Sequence, residues 1–268
     1  MKSLLALVVL IIYVNQSYGQ NFGFDLPASQ VFTTAQFNCF VNQAYDTILL
    51  QIYSANGEFD QIGLQNVVNA KQSGLWSDAI INPCRNVNNT CKNGLITGVE
   101  QALEVIKYMN SSDAPYTYLN LQIQGYKNWP KNQTANQQFI MDFTNTILDA
   151  VNSGTYVSGI GIITNYNDWS NIVGPNFTNT SVMDLLWVNW NGQQDLTTGW
   201  IPFGGWRAPC MHQYAGNIVT NNCIPGIPTN YYYSDGNCVC HEAYCYSAFH
   251  KRRMMTFANK AQKFVRQQ

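Results

Sequence analysis

Charged residues are scarce in this chain: 14 Lys or Arg and 15 Asp or Glu among 268 residues, 11% where about 25% is usual for a soluble domain. A net charge of -1 leaves no overall basic surface to meet a phosphate backbone, which argues against nucleic acid as a partner. Long apolar runs are missing beyond the first residues, so no later segment is suited to crossing a bilayer. The first strand-like segment is not followed by a glycine-rich phosphate turn, and nothing indicates a metal or organic cofactor. Internal repeats and low-complexity tracts are absent as well. What is abundant is apolar material, 46% of residues with 13% aromatic, which excludes a disordered chain and suits one domain of about 250 residues.

Met1-Lys2-Ser3 sets a positive charge ahead of the apolar run Leu4 to Val14, and Ser17-Tyr18-Gly19 supplies small residues at cleavage spacing. This pattern predicts a secretory signal peptide over residues 1–19 and a secreted, extracellular mature chain beginning near Gln20. Its eight cysteines then favour disulfides over free thiols. Cys84 and Cys91 are spaced to close a local loop, and Cys238, Cys240 and Cys245 to staple a C-terminal knot. Zinc, held by that cluster with His241, is the weaker alternative because zinc sites more often show two-residue spacers. Acceptor tripeptides for N-glycosylation begin at Asn88, Asn110, Asn132, Asn176 and Asn179, and each predicts a surface position.

Strand-like and helix-like segments alternate. Phe22–Asp25, Thr47–Tyr53, Asp78–Ile81, Tyr118–Gln124, Ile160–Ile163 and Leu185–Val188 have strand character. Between them, Thr33–Asn42, Ile62–Gln72, Leu95–Met109 and Gln133–Val151 carry helical spacing, with Gly74 stopping the second. Repeated β-α units with nearly continuous apolar strands predict a parallel sheet covered by helices. Without a phosphate turn the expectation is an α/β fold of the TIM-type barrel kind, complete or truncated, with its chemistry at the C-terminal ends of the strands.

The C-terminus differs in charge. Tyr246 to Gln268 holds six basic residues and no acid, whereas Gln20 to Cys245 holds seven basic and fifteen acidic residues. A solvated helix packed through Phe249, Met254, Phe257 and Phe264 is the simpler expectation; a basic arm docking on an anionic surface is the other. The organisation expected is therefore a signal peptide (1–19), a barrel domain (20–233), and a Cys-rich segment with a basic tail (234–268).

One strand stands apart. In Tyr118-Leu119-Asn120-Leu121-Gln122-Ile123-Gln124 a strict period of two places three amides on one face, which in a barrel is the lumen. Gly23-Phe24-Asp25, Leu121-Gln122-Ile123-Gln124-Gly125 with Trp129, Ile160–Thr164 with Trp169-Ser170, and Leu186-Trp187-Val188 form an ordered series. Phe203-Gly204-Gly205-Trp206, Pro209 and Gln213-Tyr214-Ala215-Gly216 extend it. Taken together, from Gly23 to about Tyr232, the chain resembles the glycoside hydrolase family 25 lysozymes, in particular their eukaryotic innate-immunity branch. The resemblance implies a barrel acting on peptidoglycan or a related amino-sugar glycan, with a defence or digestive role. It places Asp25, Gln122 and Gln124 at catalytic positions and Asn120, Trp129, Trp187, Gln213 and Tyr214 at substrate-binding ones.

The departures from that family concern its acids. The Asp-x-Glu pair falls on Gln122 and Gln124, and the aspartate of the final strand falls on Pro228 in Gly226-Ile227-Pro228-Thr229-Asn230, leaving Asp25. Glycoside hydrolysis needs a protonated carboxyl for the leaving oxygen and negative charge beside the oxocarbenium ion; a carboxamide supplies neither. Losing the general acid alone removes roughly 10²–10⁴ in rate. The expectation is a lysozyme-like glycan binder with lost or weak muramidase activity. Its rivals are an active muramidase using another acid, with Glu58, Asp60, Asp168 and Glu242 as candidates, and a surface-binding protein acting through its basic tail.

Overall fold

The computed structural model describes residues 20–86, 90–114 and 117–236. The leader, the Cys238, Cys240 and Cys245 staple with its zinc alternative, the basic tail, Asn88 and Glu242 lie outside the described residues. Among the described residues nine strands and five α-helices follow in the order β1 (Asn21–Leu26), α1 (Thr34–Asn42), β2 (Thr47–Ser54), β3 (Glu58–Phe59), α2 (Gln61–Ser73), β4 (Trp76–Ile81) and α3 (Gly98–Asn110). The remainder are β5 (Thr117–Gln122), α4 (Gln133–Asn152), β6 (Val157–Thr164), α5 (Tyr166–Ile172), β7 (Asp184–Val188), β8 (Met211–Ile218) and β9 (Thr229–Ser234).

Eight of these strands close on themselves. The sheet runs β1-β9-β8-β7-β6-β5-β4-β2, and β1 pairs with β2 to complete the ring, while β3 only folds back on the end of β2. Neighbours from β1 through β2 and β4 to β8 are parallel, but β9 runs antiparallel to both β8 and β1. The fold is thus a mixed α/β barrel. The expected helix–strand alternation extends through α5; among the described residues no helix separates β7 from β8 or β8 from β9.

Period-two alternation sorts the side chains into two cores. Outward residues such as Ile48, Leu50, Ile52, Leu119, Leu121, Ile160 and Ile162 pack with the helices in the larger one. Inward residues Leu49, Ile80, Ile163, Leu186 and Tyr232 plug the lumen. Helix starts follow local chemistry: Thr33 with Gln36, and Thr97 with Glu100, form reciprocal capping boxes, and Asp60, Asn132 and Asn165 cap α2, α4 and α5. The Thr97 box explains why α3 begins at Gly98 and not at the expected Leu95. Gly74 ends α2 in the left-handed conformation, as its position suggested. At Gly63 a Cβ would overlap the Gln51 carbonyl, so glycine lets α2 lie directly on β2.

The Cys84–Cys91 pairing is present, and a second disulfide joins Cys39 on α1 to Cys223, 184 residues away. No local spacing announces that second bond. Asn110, Asn132, Asn176 and Asn179 are exposed, as acceptor sites require.

Two stability changes follow. Replacing Cys39 and Cys223 by serine is expected to lower unfolding stability by about 2–5 kcal/mol in denaturant titrations, more than the same change at Cys84 and Cys91, because the longer loop restrains the unfolded chain more. Leu49→Ala, which empties part of the lumenal plug, is expected to cost about 2–5 kcal/mol by the same measurement.

Candidate functional site

The C-terminal ends of the parallel strands open into a cavity of about 390 Å³, within the size range of small-molecule sites. Asp25, next to last in β1, forms one wall with Gln213, Asn230 and Tyr232; Gln122 and Gln124 belong to the same lining, as do Gln51, Ile80, Ile163 and Val188. The β1–β9 register sets Asp25 opposite Asn230. Alternation then turns Asn230 and Tyr232 to the same lumenal face.

Three donors converge on Asp25. Asn230 Nδ2 donates to Oδ1 at 2.8 Å and Gln213 Nε2 to Oδ2 at 3.1 Å, and the Tyr232 hydroxyl donates to Oδ2 as well. Gln213 Nε2 also donates to the Tyr232 hydroxyl at 2.5 Å, and its Oε1 accepts from Trp190 Nε1 at 2.6 Å. Burial raises the Asp25 carboxyl from 3.8 to about 6, while the bonds from Tyr232, Asn230 and Gln213 pull it back down. Burial, reinforced by the adjacent carboxylate, pushes the Tyr232 phenol well above its usual range.

Gln122 and Gln124 engage each other. Gln122 Nε2 donates to Gln124 Oε1 at 2.5 Å, and both side chains are half-buried. The regular strand ends at Gln122, two residues before the expected Gln124, because Gly125 turns the chain with φ 71°. Ile123 still donates its N–H to Ile163 at 2.8 Å, which holds the alternation long enough for both glutamines to face the opening. A smaller chamber of about 240 Å³ lies beyond them and shares both residues.

The other residues singled out in the sequence divide. Gln213 lies in the cavity wall. Trp129 lines the smaller chamber, with Nε1 donating to the Gln124 carbonyl at 3.0 Å. Asn120 is buried deeper in β5, outside the cavity lining, and its Nδ2 has no hydrogen-bond partner. Trp187 points outward into the larger core, stacked on His212 at 4.2 Å, and Tyr214 is buried with its hydroxyl accepting from Gln194. Neither lines the opening, because both occupy the outward register of their strands.

Among the described residues, the substitute acids Glu58, Asp60 and Asp168 are not brought into the cavity lining. Glu58 pairs with Lys92 at the surface, Asp60 caps α2, and Asp168 accepts from the Tyr126 N–H and from Asn165. Asp78 and Asp184 stand two residues before the lumenal Ile80 and Leu186, at the N-terminal ends of β4 and β7. Among the described residues, Asp25 is the one acid in the cavity lining.

Among the lining residues that the sequence did not single out, two stand in direct contact with the Asp25 cluster, Trp190 through Gln213 and Tyr232 itself. Trp190 is 52% exposed at the rim, and its ring lies against Gly216, where a Cβ would overlap it. Tyr232 completes the Asp25 cluster. The period-two pattern of Asn230 and Tyr232 was a usable signal for the second; nothing local marked Trp190 among seven tryptophans.

The raised Asp25 value carries a sign. The native state holds this proton more tightly than the unfolded chain, so the stabilisation is complete below pH 3.8 and lost as pH rises through about 6. The shift corresponds to on the order of 3 kcal/mol. Carboxyl NMR is expected to show Asp25 titrating near pH 6, and unfolding stability to fall across pH 4–7 by an amount that Asp25→Asn removes. An ordinary titration near pH 4 would contradict the burial argument.

Comparison with known proteins agrees with the geometry. A family model described as Lysozyme-like protein 1 matches residues 17–214. Lysozyme-like protein 5 of Caenorhabditis elegans is 30% identical over 200 residues, covering 74% of this chain and 86% of that protein. Probable GH family 25 lysozyme 4 of Dictyostelium discoideum is 27% identical, covering 76% and 87%. Among solved structures, a muramidase from Trichobolus zukalii has a TM-score of 0.57 at 17% identity, covering 78% of this chain and 92% of that one. A family GH25 lysozyme from Aspergillus fumigatus has a TM-score of 0.57 at 14% identity, covering 79% and 93%. With the barrel, its mouth and these relatives in agreement, the chain belongs to the lysozyme-like proteins of glycoside hydrolase family 25.

Proposed function

We propose that the mature chain is a secreted glycan-binding protein of the lysozyme fold that holds peptidoglycan-type chains in the barrel mouth and hydrolyses them weakly or not at all. The observation that carries this reading is the hydrogen-bonded Gln122–Gln124 pair facing a cavity whose one acid among the described residues is Asp25; the resemblance to family 25 lysozymes sets those two glutamines at the family's acidic pair. Two amides can orient hydroxyls and acetamido groups through donors and acceptors. They have no proton to deliver to a leaving oxygen and no charge to set beside an oxocarbenium ion. Exchanging carboxylates for amides also lowers the desolvation cost of seating a sugar.

Trp190 supports the binding half. Its exposed indole lies on the rim, fixed by the bond to Gln213 and by the bare backbone of Gly216, so one ring face is ready to stack on a sugar. A defence or digestive role follows from the resemblance to family 25 lysozymes.

The test is to incubate the purified mature protein with bacterial walls and measure retention and reducing-end release together. Retention is expected with release at least 10²-fold below that of an active lysozyme. Trp190→Ala and Gly216→Ala are each expected to weaken retention by roughly 3- to 10-fold. Residual turnover, where detected, is expected below pH 6 and absent in Asp25→Asn, since among the described residues Asp25 is the one lining group that can carry the proton. Gln122→Asp with Gln124→Glu and Pro228→Asp is expected to bring wall cleavage up. Release at a lysozyme's rate by the unmodified protein would overturn the proposal.

A further inference from the structure

The outward register that turns Trp187 and Tyr214 away from the mouth also turns His212 on β8 outward, where it is fully buried. Both of its ring nitrogens face backbone oxygens of the connection 189–210 between β7 and β8. Nδ1 stands 2.6 Å from the Asp195 carbonyl and Nε2 stands 2.8 Å from the Asn189 carbonyl. A carbonyl oxygen only accepts, and a neutral imidazole carries one N–H and one lone pair. The neutral ring satisfies one contact and sets lone pair against lone pair at the other, whereas the imidazolium donates to both. The ring also lies on Trp187, centroids 4.2 Å and planes 21° apart, and an indole face favours a cation.

The two carbonyls belong to the stretch that carries the rim. Asn189 immediately precedes Trp190, and its carbonyl also accepts from the Asn191 N–H at 2.8 Å, so it keeps a donor if the ring lets go. Asp195 ties the next turn. The N–H and hydroxyl of Thr198, with the Thr197 N–H, hold its carboxyl down at about 2, so it stays negative where an imidazole titrates. Arg207 is the other charged residue of the connection. On β7, Asp184 accepts from Tyr118 and Cys210 at the opposite end from Asn189. On β9, Tyr233 is paired with His212, with Tyr231 before it and Asp235 beyond the strand end. The Tyr214 ring is 6.4 Å away, its phenol pushed up by burial. Among these groups, the imidazole is the one whose ordinary titration falls between about pH 5 and pH 8. Asp25, raised to about 6, reaches Trp190 only through Gln213.

We propose that His212 is a positioning residue for the rim: as the imidazolium it latches the stretch 189–198 through two N–H donors, and on losing a proton it keeps Asp195 and releases the Asn189 carbonyl beside Trp190. The latch is closed at acid pH and opens as pH rises. It sets the shape of the mouth whatever the mouth binds.

Ring ¹⁵N NMR of the mature protein reads the proton count, with His241 and His250 replaced by glutamine so that one histidine signal remains. Amide-exchange protection at Gly192 and Thr198, which donate to the Tyr214 carbonyl and to Asp195, reads the latch, and Ile162 in β6 reports global unfolding. From about pH 5 to about pH 8 the ring is expected to pass from two N–H groups to one, on Nδ1. Protection at Gly192 and Thr198 is expected to fall with it, by about 10- to 100-fold more than at Ile162, as one charge-assisted bond is lost. The Trp190 indole N–H signal is expected to move with the same midpoint. The fall is expected to persist in Asp25→Asn, which separates it from titration of that carboxyl. His212→Gln, which keeps a donor without a titrating group, is expected to make protection at both amides independent of pH. If His212→Gln does not fold, the ring spectrum and the exchange measured with His212 in place decide. A single ring N–H at pH 5, two still present at pH 8, or a neutral ring protonated on Nε2 overturns the latch. So does protection that fails to follow the ring, or a fall that vanishes in Asp25→Asn.

Discussion

Because β1 hydrogen-bonds to β2 on one side and to β9 on the other, a single short strand closes the ring and carries Asp25, the one acid that lines its mouth among the described residues. The β2 side is parallel and the β9 side antiparallel, so β9 enters from the opposite direction and meets Asp25 with Asn230 and Tyr232. Their donors, with Gln213 from β8, hold the carboxyl in a buried position. Shifting β9 by one residue would turn Asn230 and Tyr232 outward and remove two of those donors. The lumenal plug depends on the same closure, since Tyr232 belongs to it as well.

The same residues set the electrostatics of the mouth. A buried carboxyl raised to about 6 and a pair of neutral amides across the opening make a surface rich in hydrogen-bonding groups and poor in charge. Sugars, which carry many hydroxyls and no formal charge unless substituted, suit such a surface. Bond cleavage by this family's chemistry uses two carboxyl groups flanking the anomeric carbon, and among the described residues the cavity lining supplies one, Asp25.

Much of the barrel was legible in order. Strands of continuous apolar character, helices begun by Thr or Asn caps, and the stop at Gly74 all follow from local rules. The alternation from Asn120 to Gln124 correctly turned amides inward, yet it could not tell depth: Asn120 sits below the opening, and only Gln122 and Gln124 reach it. Trp187 and Tyr214, attractive as aromatic binding residues, pack outward because their neighbours Val188 and Gln213 take the inward register. The helix-free passage from β7 to β9 gave no periodic signal.

The sequence by itself determined which groups this protein lacks: no proton-bearing pair at Gln122 and Gln124, and no acid at Pro228, since a residue's chemistry does not depend on where the chain puts it. It also determined the alternation that any sheet would convert into two faces. Only the tertiary structure decided that Asp25 meets Asn230, Gln213 and Tyr232, that Trp190 stands at the rim over Gly216, and that His212 meets the carbonyls of Asn189 and Asp195. These are contacts between residues up to 207 positions apart, set by strand order and register, and neither is encoded in any local stretch of chain.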